Sequence, residues 1–211
     1  MPRKPAHEQF DTLQAIRDRA FELFGRGGYE GVSIGDIAGA ARLSKGALYW
    51  HFPGKEALYL ECLQRVHAIF DQHVFDPMRA QRDAVQRLLF MFRGLEKLLR
   101  DPRVEKGIAG YWLIPVSPET APLLAEQRAF ETRARAALED TLKSGVEQGH
   151  FDYKGDLEDL AAAILALVEA CVLPLRHQEP DDVHRLLGVL ARTLFRAYAK
   201  SEVLARLARE F

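Results

Sequence analysis

Apolar residues recur along this chain at three- and four-residue intervals, the period of helices buried on one face. Leu13, Ile16, Ala20 and Phe24 fall on one side of a helix predicted over about 10–26, which Gly27 and Gly28 end. The stretch Val32–Leu58 follows. Ser33 is placed as an N-cap, Asp36 stands three residues on as its acidic partner, and Val32 and Ile37 flank it at hydrophobic-staple spacing. The same syntax recurs at Ser44, between Leu43 and Leu48. Two capped helices separated by Ala41, Arg42 and Leu43 predict a helix-turn-helix. Its second helix, Lys45 to His51, is the one suited to a major groove.

Phe52-Pro53-Gly54 reads as a turn, after which Lys55 opens a long helix to about Phe75, ended by Pro77. Asp83 and Gln86 form a capping box ahead of an apolar stripe, Val85, Leu88, Leu89, Phe92 and Leu99. Asp101-Pro102 starts a short helix carrying Ile108, Tyr111 and Trp112, closed by Pro115. Ser117-Pro118 starts a long one reaching about Gln148. Asp156 and Asp159 begin the next, apolar from Leu160 to Leu175 except for Glu169. Asp181 or Asp182 caps the last, with Val183, Leu186, Leu187, Leu190, Leu194 and Tyr198 in register. Residues 199–211 are expected as a frayed tail or a short extra helix. No strand pattern or internal repeat competes. The expectation is an all-α chain: a three-helix DNA-binding head, residues 1–54, joined by a continuous helix to a larger helical body, residues 55–211.

Hydrophobic residues make up 48% and charged residues 28%, a soluble globular balance, and the formal net charge is −1. That average hides a difference. Residues 1–55 hold 8 basic against 6 acidic residues, and the remainder 21 against 24. A mildly basic head fits nucleic-acid contact confined to the N-terminus. Pro2-Arg3-Lys4-Pro5 is a basic arm, equally a disordered end or a backbone contact. No signal peptide is apparent. The run Leu160–Leu175 is shorter than the roughly 20 residues a membrane span needs. Cys62 and Cys171 sit in apolar helical patterns as small core residues, which fits a reduced cytoplasmic setting.

The positions Ile37-Ala38, then Leu43-Ser44-Lys45-Gly46-Ala47-Leu48-Tyr49-Trp50-His51-Phe52, then Lys55 and Leu58 resemble the TetR family of bacterial transcriptional regulators. The resemblance covers roughly residues 10–63. One position departs. The family usually has glycine in the helix–helix turn, where Arg42 stands. If that site is left-handed, a non-glycine residue is strained by roughly 1 kcal/mol. Either the turn differs or the guanidinium has a task, such as a phosphate contact.

Lys45 is the candidate for base-edge contact, since its ammonium can donate to guanine O6 and N7. Gly46 and Ala47 allow close approach, and the Ala47 methyl suits a thymine methyl. Tyr49 and His51 resemble the family's phosphate-contacting positions. Lys55 adds its ammonium at a helix N-terminus, and Ser33 and Ser44 stand at the starts of the two shorter helices. Trp50 either packs inside or lies against the sugar-phosphate, packing being the expected of the two. In the body, the resemblance implies a ligand cavity that Phe92, Tyr111, Trp112 and Phe130 would line, although aromatics at this spacing also build plain core. Glu169 stands alone among apolar residues, where an unpaired carboxylate is costly. It pairs with an arginine, binds a polar group of an effector, or faces solvent at a subunit edge.

The seven histidines contain no pair on adjacent helical turns, and no nucleophile motif or phosphate loop is present. No metal, cofactor or catalytic site is expected. The reading is a regulator, a repressor foremost, that binds a near-palindromic operator as a homodimer through its last two long helices. A small apolar or amphipathic effector releases it. Two rivals remain: an architectural or division factor with the same head and no effector, and a carrier or helical enzyme with a vestigial head.

Overall fold

The computed structural model describes residues 6–172 and 180–208, with side chains from 12 to 170, at 182, and from 184 to 208. In chain order the elements are α1 (Ala6–Gly27), α2 (Ile34–Ala40), α3 (Lys45–His51), α4 (Lys55–Phe70), a π-helical turn (Asp71–Phe75) and α5 (Asp76–Arg79). Then follow α6 (Ala84–Leu99), α7 (Pro102–Glu105), a 3-10 turn (Ala109–Trp112), α8 (Ala121–Glu147), α9 (Leu157–Val172), α10 (Pro180–Tyr198) and α11 (Ser201–Leu207). The fold is all-α. Among the described residues the extended pairing is a single antiparallel bridge, Phe151 to Ala199. Around it the Asp152 N–H donates to the Tyr198 carbonyl at 2.8 Å and the Lys200 N–H to the His150 carbonyl at 3.0 Å. The basic arm at 2–5, residues 173–175 of the apolar run and the Cys171 side chain lie outside the described residues.

The chain forms two compact units, Met1–His67 with Pro102–Arg128, and Ala68–Asp101 with Ala129–Phe211. In the first, Ile16, Ala20 and Phe24 of α1 are fully buried, together with Ile37 of α2, Leu48 of α3 and Leu58 and Tyr59 of α4. Gly25 and Gly110 let α1 and the 3-10 turn meet backbone to backbone. A Cβ at Gly110 would stand 2.1 Å from the Phe24 carbonyl oxygen, and one at Gly25 2.2 Å from that of Gly107. That approach brings Tyr111 into an aromatic cluster with Phe21 and Tyr59, centroids 5.5 Å away in each case. His67 is buried between Glu126 and Gln127 of α8, at 3.1 Å from each. Burial pushes the Cys62 thiol up to about 12, as suits an inert core group.

In the second unit, Pro77 does not end the helix that contains it. The backbone instead widens into the π-helical turn, and Pro77 sits in the first turn of α5. Proline lacks the N–H that the carbonyl four residues back, His73, would accept. That oxygen lies so near Gly94 of α6 that a Cβ there would stand 2.2 Å from it. The His73 ring is held by Asp101, Nε2 to Oδ2 2.8 Å. Phe130 packs edge-on against Phe70 and Phe75, with centroids 5.7 and 6.0 Å away.

Three boundaries also differ from expectation. The short helix after Asp101 is split: α7 stops at Glu105, and Gly107 takes φ 108° before the 3-10 turn. The long helix begins at Ala121 because Ser117 and Thr120 cap each other, each backbone N–H donating to the other's hydroxyl at 3.1 and 3.3 Å. Finally, α10 begins at Pro180, so Asp182 is not its cap; it lies in the first turn and pairs with Arg185. The Asp181 side chain lies outside the described residues. The tail forms α11.

Candidate nucleic-acid interface

Ser33 caps α2 as expected: its Oγ accepts from the Asp36 N–H at 3.1 Å, and the Asp36 carboxylate accepts from the Ser33 N–H at 2.8 Å and hydroxyl at 2.6 Å. The hydroxyl bond, then the backbone bond, hold the Asp36 carboxyl below its usual range. The Ser33 side chain is thus committed to the cap. Ser44 caps α3 by accepting from the Ala47 N–H at 3.1 Å. The staple residues Val32 and Ile37 are both buried.

Between these helices Arg42 has φ 57°, the left-handed region. The Arg42 N–H donates to Gly39 O at 3.0 Å and the Leu43 N–H to Ala38 O at 2.8 Å. These are the two bonds of a Schellman turn, whose left-handed position ordinarily carries glycine. The turn is therefore the glycine type, built with an exposed arginine at a cost of roughly 1 kcal/mol.

On α3 only Leu48 is buried. Tyr49 is 53% exposed and Trp50 82% exposed, so packing, the expected role of Trp50, is not what the structure adopts. Lys45 and Gly46 are exposed and Ala47 and His51 partly so. A Cβ at Gly46 would find nothing nearer than the Ser44 Oγ at 3.9 Å, so no neighbour within the chain requires glycine there. Lys45 lies across the start of α2: its Nζ is 3.2 Å from where a Gly35 Cβ would stand, and its charge helps lower the Asp36 carboxyl. Lys55 is held too, Nζ 4.2 Å from the centre of the Tyr29 ring. Tyr29 is a positioning residue the sequence reading missed; nothing in the spacing of 29 and 55 announces their contact.

The five residues expected around an effector are divided between the two units, Phe92, Phe130 and Glu169 falling in the second. Tyr111 and Trp112 belong to the first unit. The Tyr111 hydroxyl donates to the Phe21 carbonyl at 2.9 Å, and burial raises its phenol far above the usual range. Phe130 is core in the second unit. Glu169 is half-buried, and burial, then the Glu131 charge, raise its carboxyl. Phe92 alone lines the cavity of about 390 Å³ between α6, α10 and α11. Its walls include Leu187, Phe195 and Leu207, and its lining also holds Arg93, Arg192 and Arg196. Cations four residues apart on a helix, as at 192 and 196, have the pattern of an ordinary solvated face. The signal that finds them is that 192 and 196 flank the apolar register of Leu187 and Phe195.

Residues 16–62 match a family model described as bacterial regulatory proteins, tetR family. Over 61 residues the chain is 44% identical to the HTH-type transcriptional regulator AcrR of Shigella flexneri, a stretch covering 29% of this chain and 28% of AcrR. The match thus spans under a third of that relative's length. Solved structures also align along most of the chain. A TetR-family transcriptional regulator from Agrobacterium tumefaciens aligns with TM-score 0.75 at 22% identity, covering 91% of this chain and 100% of that one. AibR in complex with isovaleryl coenzyme A and operator DNA aligns with TM-score 0.65 at 22% identity, covering 86% and 97%. At these identities the likeness shows the fold.

Proposed function

We propose, starting from the membership in the TetR family of bacterial regulatory proteins that its N-terminal domain gives it, that this chain is a transcriptional repressor released from its operator by a small effector. Residues 1–54 contact DNA, and residues 55–211 bind the effector and the second copy. The observation that carries the reading is the outward face of α3. A capped helix with one buried residue sets out Lys45, Gly46, Tyr49 and Trp50 on its outward side, with two adjacent large aromatics left uncovered. Lys45 reads base edges; Arg42, Tyr49, His51 and Lys55 meet phosphates, and Trp50 lies along the sugar-phosphate.

A homodimer is supported by apolar side chains left outward on the last two long helices: Leu167 on α9 and Leu186 and Val189 on α10. Two heads then read half-sites about 34–36 Å apart or a multiple of that. The effector acts by binding the released state better than the DNA-ready state, the signal passing along α4, which carries residues of both units. AibR, solved with isovaleryl coenzyme A and operator DNA, has this fold and both kinds of partner.

The test is a gel-shift titration over a salt series. The double variant Tyr49→Phe with Lys55→Ala binds operator more weakly, and its affinity depends less on salt than the parent's. Unchanged binding removes the head assignment.

A further inference from the structure

The cavity between α6, α10 and α11 has an apolar interior and cationic edges. Phe92, Leu187, Phe195 and Leu207 are buried in its walls, with Leu204 partly so. Arg93, Arg192 and Arg196 are all exposed, which places them toward its mouth. Arg192 and Arg196 are one helical turn apart on α10 and so project side by side. Gly188 makes room for the first: the Arg192 Nη1 lies 3.3 Å from where a Cβ at 188 would stand. Among the described residues neither Arg192 nor Arg196 has a carboxylate partner. The acidic residue of the lining, Glu96, is instead engaged by His184, Oε1 to Nδ1 3.0 Å. Like charges gathered beside an apolar slot repel one another until an anion joins them, and an apolar slot open to water favours a hydrocarbon tail.

We propose that this cavity binds an amphipathic anion, its apolar tail against Phe92, Leu187 and Phe195 and its anionic head between Arg93, Arg192 and Arg196. At about 390 Å³ the space suits a medium-length acyl chain. The head is a free carboxylate or the phosphates of an acyl thioester, which share the chemistry the arginines recognise. The same helix serves two surfaces: α10 turns Leu187 and Phe195 to the ligand and Leu186 and Val189 outward, so an occupant bears directly on the helix proposed to form the dimer. The inference rests on the effector-responsive reading above and names the effector's class.

Titration calorimetry on the full chain compares four probes, three of one tail length: decanoate, 1-decanol and decyltrimethylammonium, with decanoyl coenzyme A as the fourth. Decanoate or its thioester binds at least about tenfold more tightly than decanol, and the cation binds more weakly still. Whichever anion binds identifies the source. In Arg192→Gln with Arg196→Gln, anion binding falls to the decanol level and decanol binding is unchanged. Leu187→Trp, which fills the slot, abolishes both, and a melting curve verifies that it folds. Decanol or the cation binding as tightly as the anions, binding of none of the four, or full anion binding by the double arginine variant overturns the proposal. Operator binding by the ligand-free chain is measured alongside. Its failure overturns the regulator reading and leaves head-group selectivity to judge the cavity by itself.

Discussion

Lys55 Nζ stands 4.2 Å from the centre of the Tyr29 ring, while the hydroxyl of the same tyrosine donates to Glu56 Oε1 at 2.6 Å. One aromatic side chain holds the first two residues of α4, cation and anion together. The Tyr29 bond is the chief cause of the lowered Glu56 carboxyl, and burial, then the same bond, raise the Tyr29 phenol well above its ordinary range. A lowered carboxyl stabilises the fold above its ordinary value of 4.5, and that support is lost as pH falls through the lower folded value. A raised phenol supports the fold fully below its ordinary value of 10 and is lost at higher pH. Tyr29→Phe keeps the ring under Lys55 and removes the bond, costing about 1 kcal/mol near neutral pH. In urea titrations the deficit shrinks in acid, below the ordinary carboxyl range. A deficit that stays constant down to about pH 3 counts against the bond.

Arg42 gives two separable outcomes. Arg42→Gly relieves the left-handed strain and stabilises the chain by about 1 kcal/mol in thermal or urea unfolding. Arg42→Ala keeps most of the strain. Both lose the guanidinium, so both lower the salt slope of operator binding by about 0.9 for one phosphate contact. An undiminished slope in the two variants assigns the arginine no phosphate.

Gly46 is free of steric demand within the chain, and glycine is a poor helix former. Gly46→Ala therefore stabilises α3 by up to about 1 kcal/mol while the added methyl stands between helix and groove. The expected pair of results is a higher melting temperature and an operator affinity about tenfold weaker. A variant both more stable and equally tight on DNA shows that α3 does not approach the bases at this residue.

Leu186 and Val189 are 42% and 49% exposed, one turn apart on α10. Leu186→Glu with Val189→Glu places carboxylates in the proposed twofold contact. Sedimentation equilibrium then gives monomer for the variant and dimer for the parent, and operator affinity falls with dimerisation. A parent that sediments as a monomer rules the dimer out.

What was readable from the sequence was local. Ser33, Ser44 and their staples signal helix starts because a cap bonds within three residues, and both caps are found as expected. Three features were not readable. Trp50 shares the spacing of a core residue, and only the tertiary fold decides which side of α3 faces the bundle. Pro77 normally ends a helix, but a π-helical turn beside Gly94 accommodates the carbonyl it strands. The family resemblance places Tyr111 among the aromatics of the effector-binding body. The backbone approach permitted by Gly25 and Gly110, which stand 85 residues apart in the sequence, carries it to α1 instead, and periodicity holds no trace of such contacts.

The small bridge from Phe151 to Ala199 sets the start and finish of the α9–α10 segment side by side. That makes the segment a cassette with adjoining ends. Its inward residues, Leu187 and Phe195 among them, fill the space beside α6, so any replacement of similar length would have to fill that space too. The residues that would choose a partner copy, Leu167, Leu186 and Val189, travel with the cassette. On the dimer proposed above, replacing this one insert would change the pairing surface and leave α2 and α3 as they were.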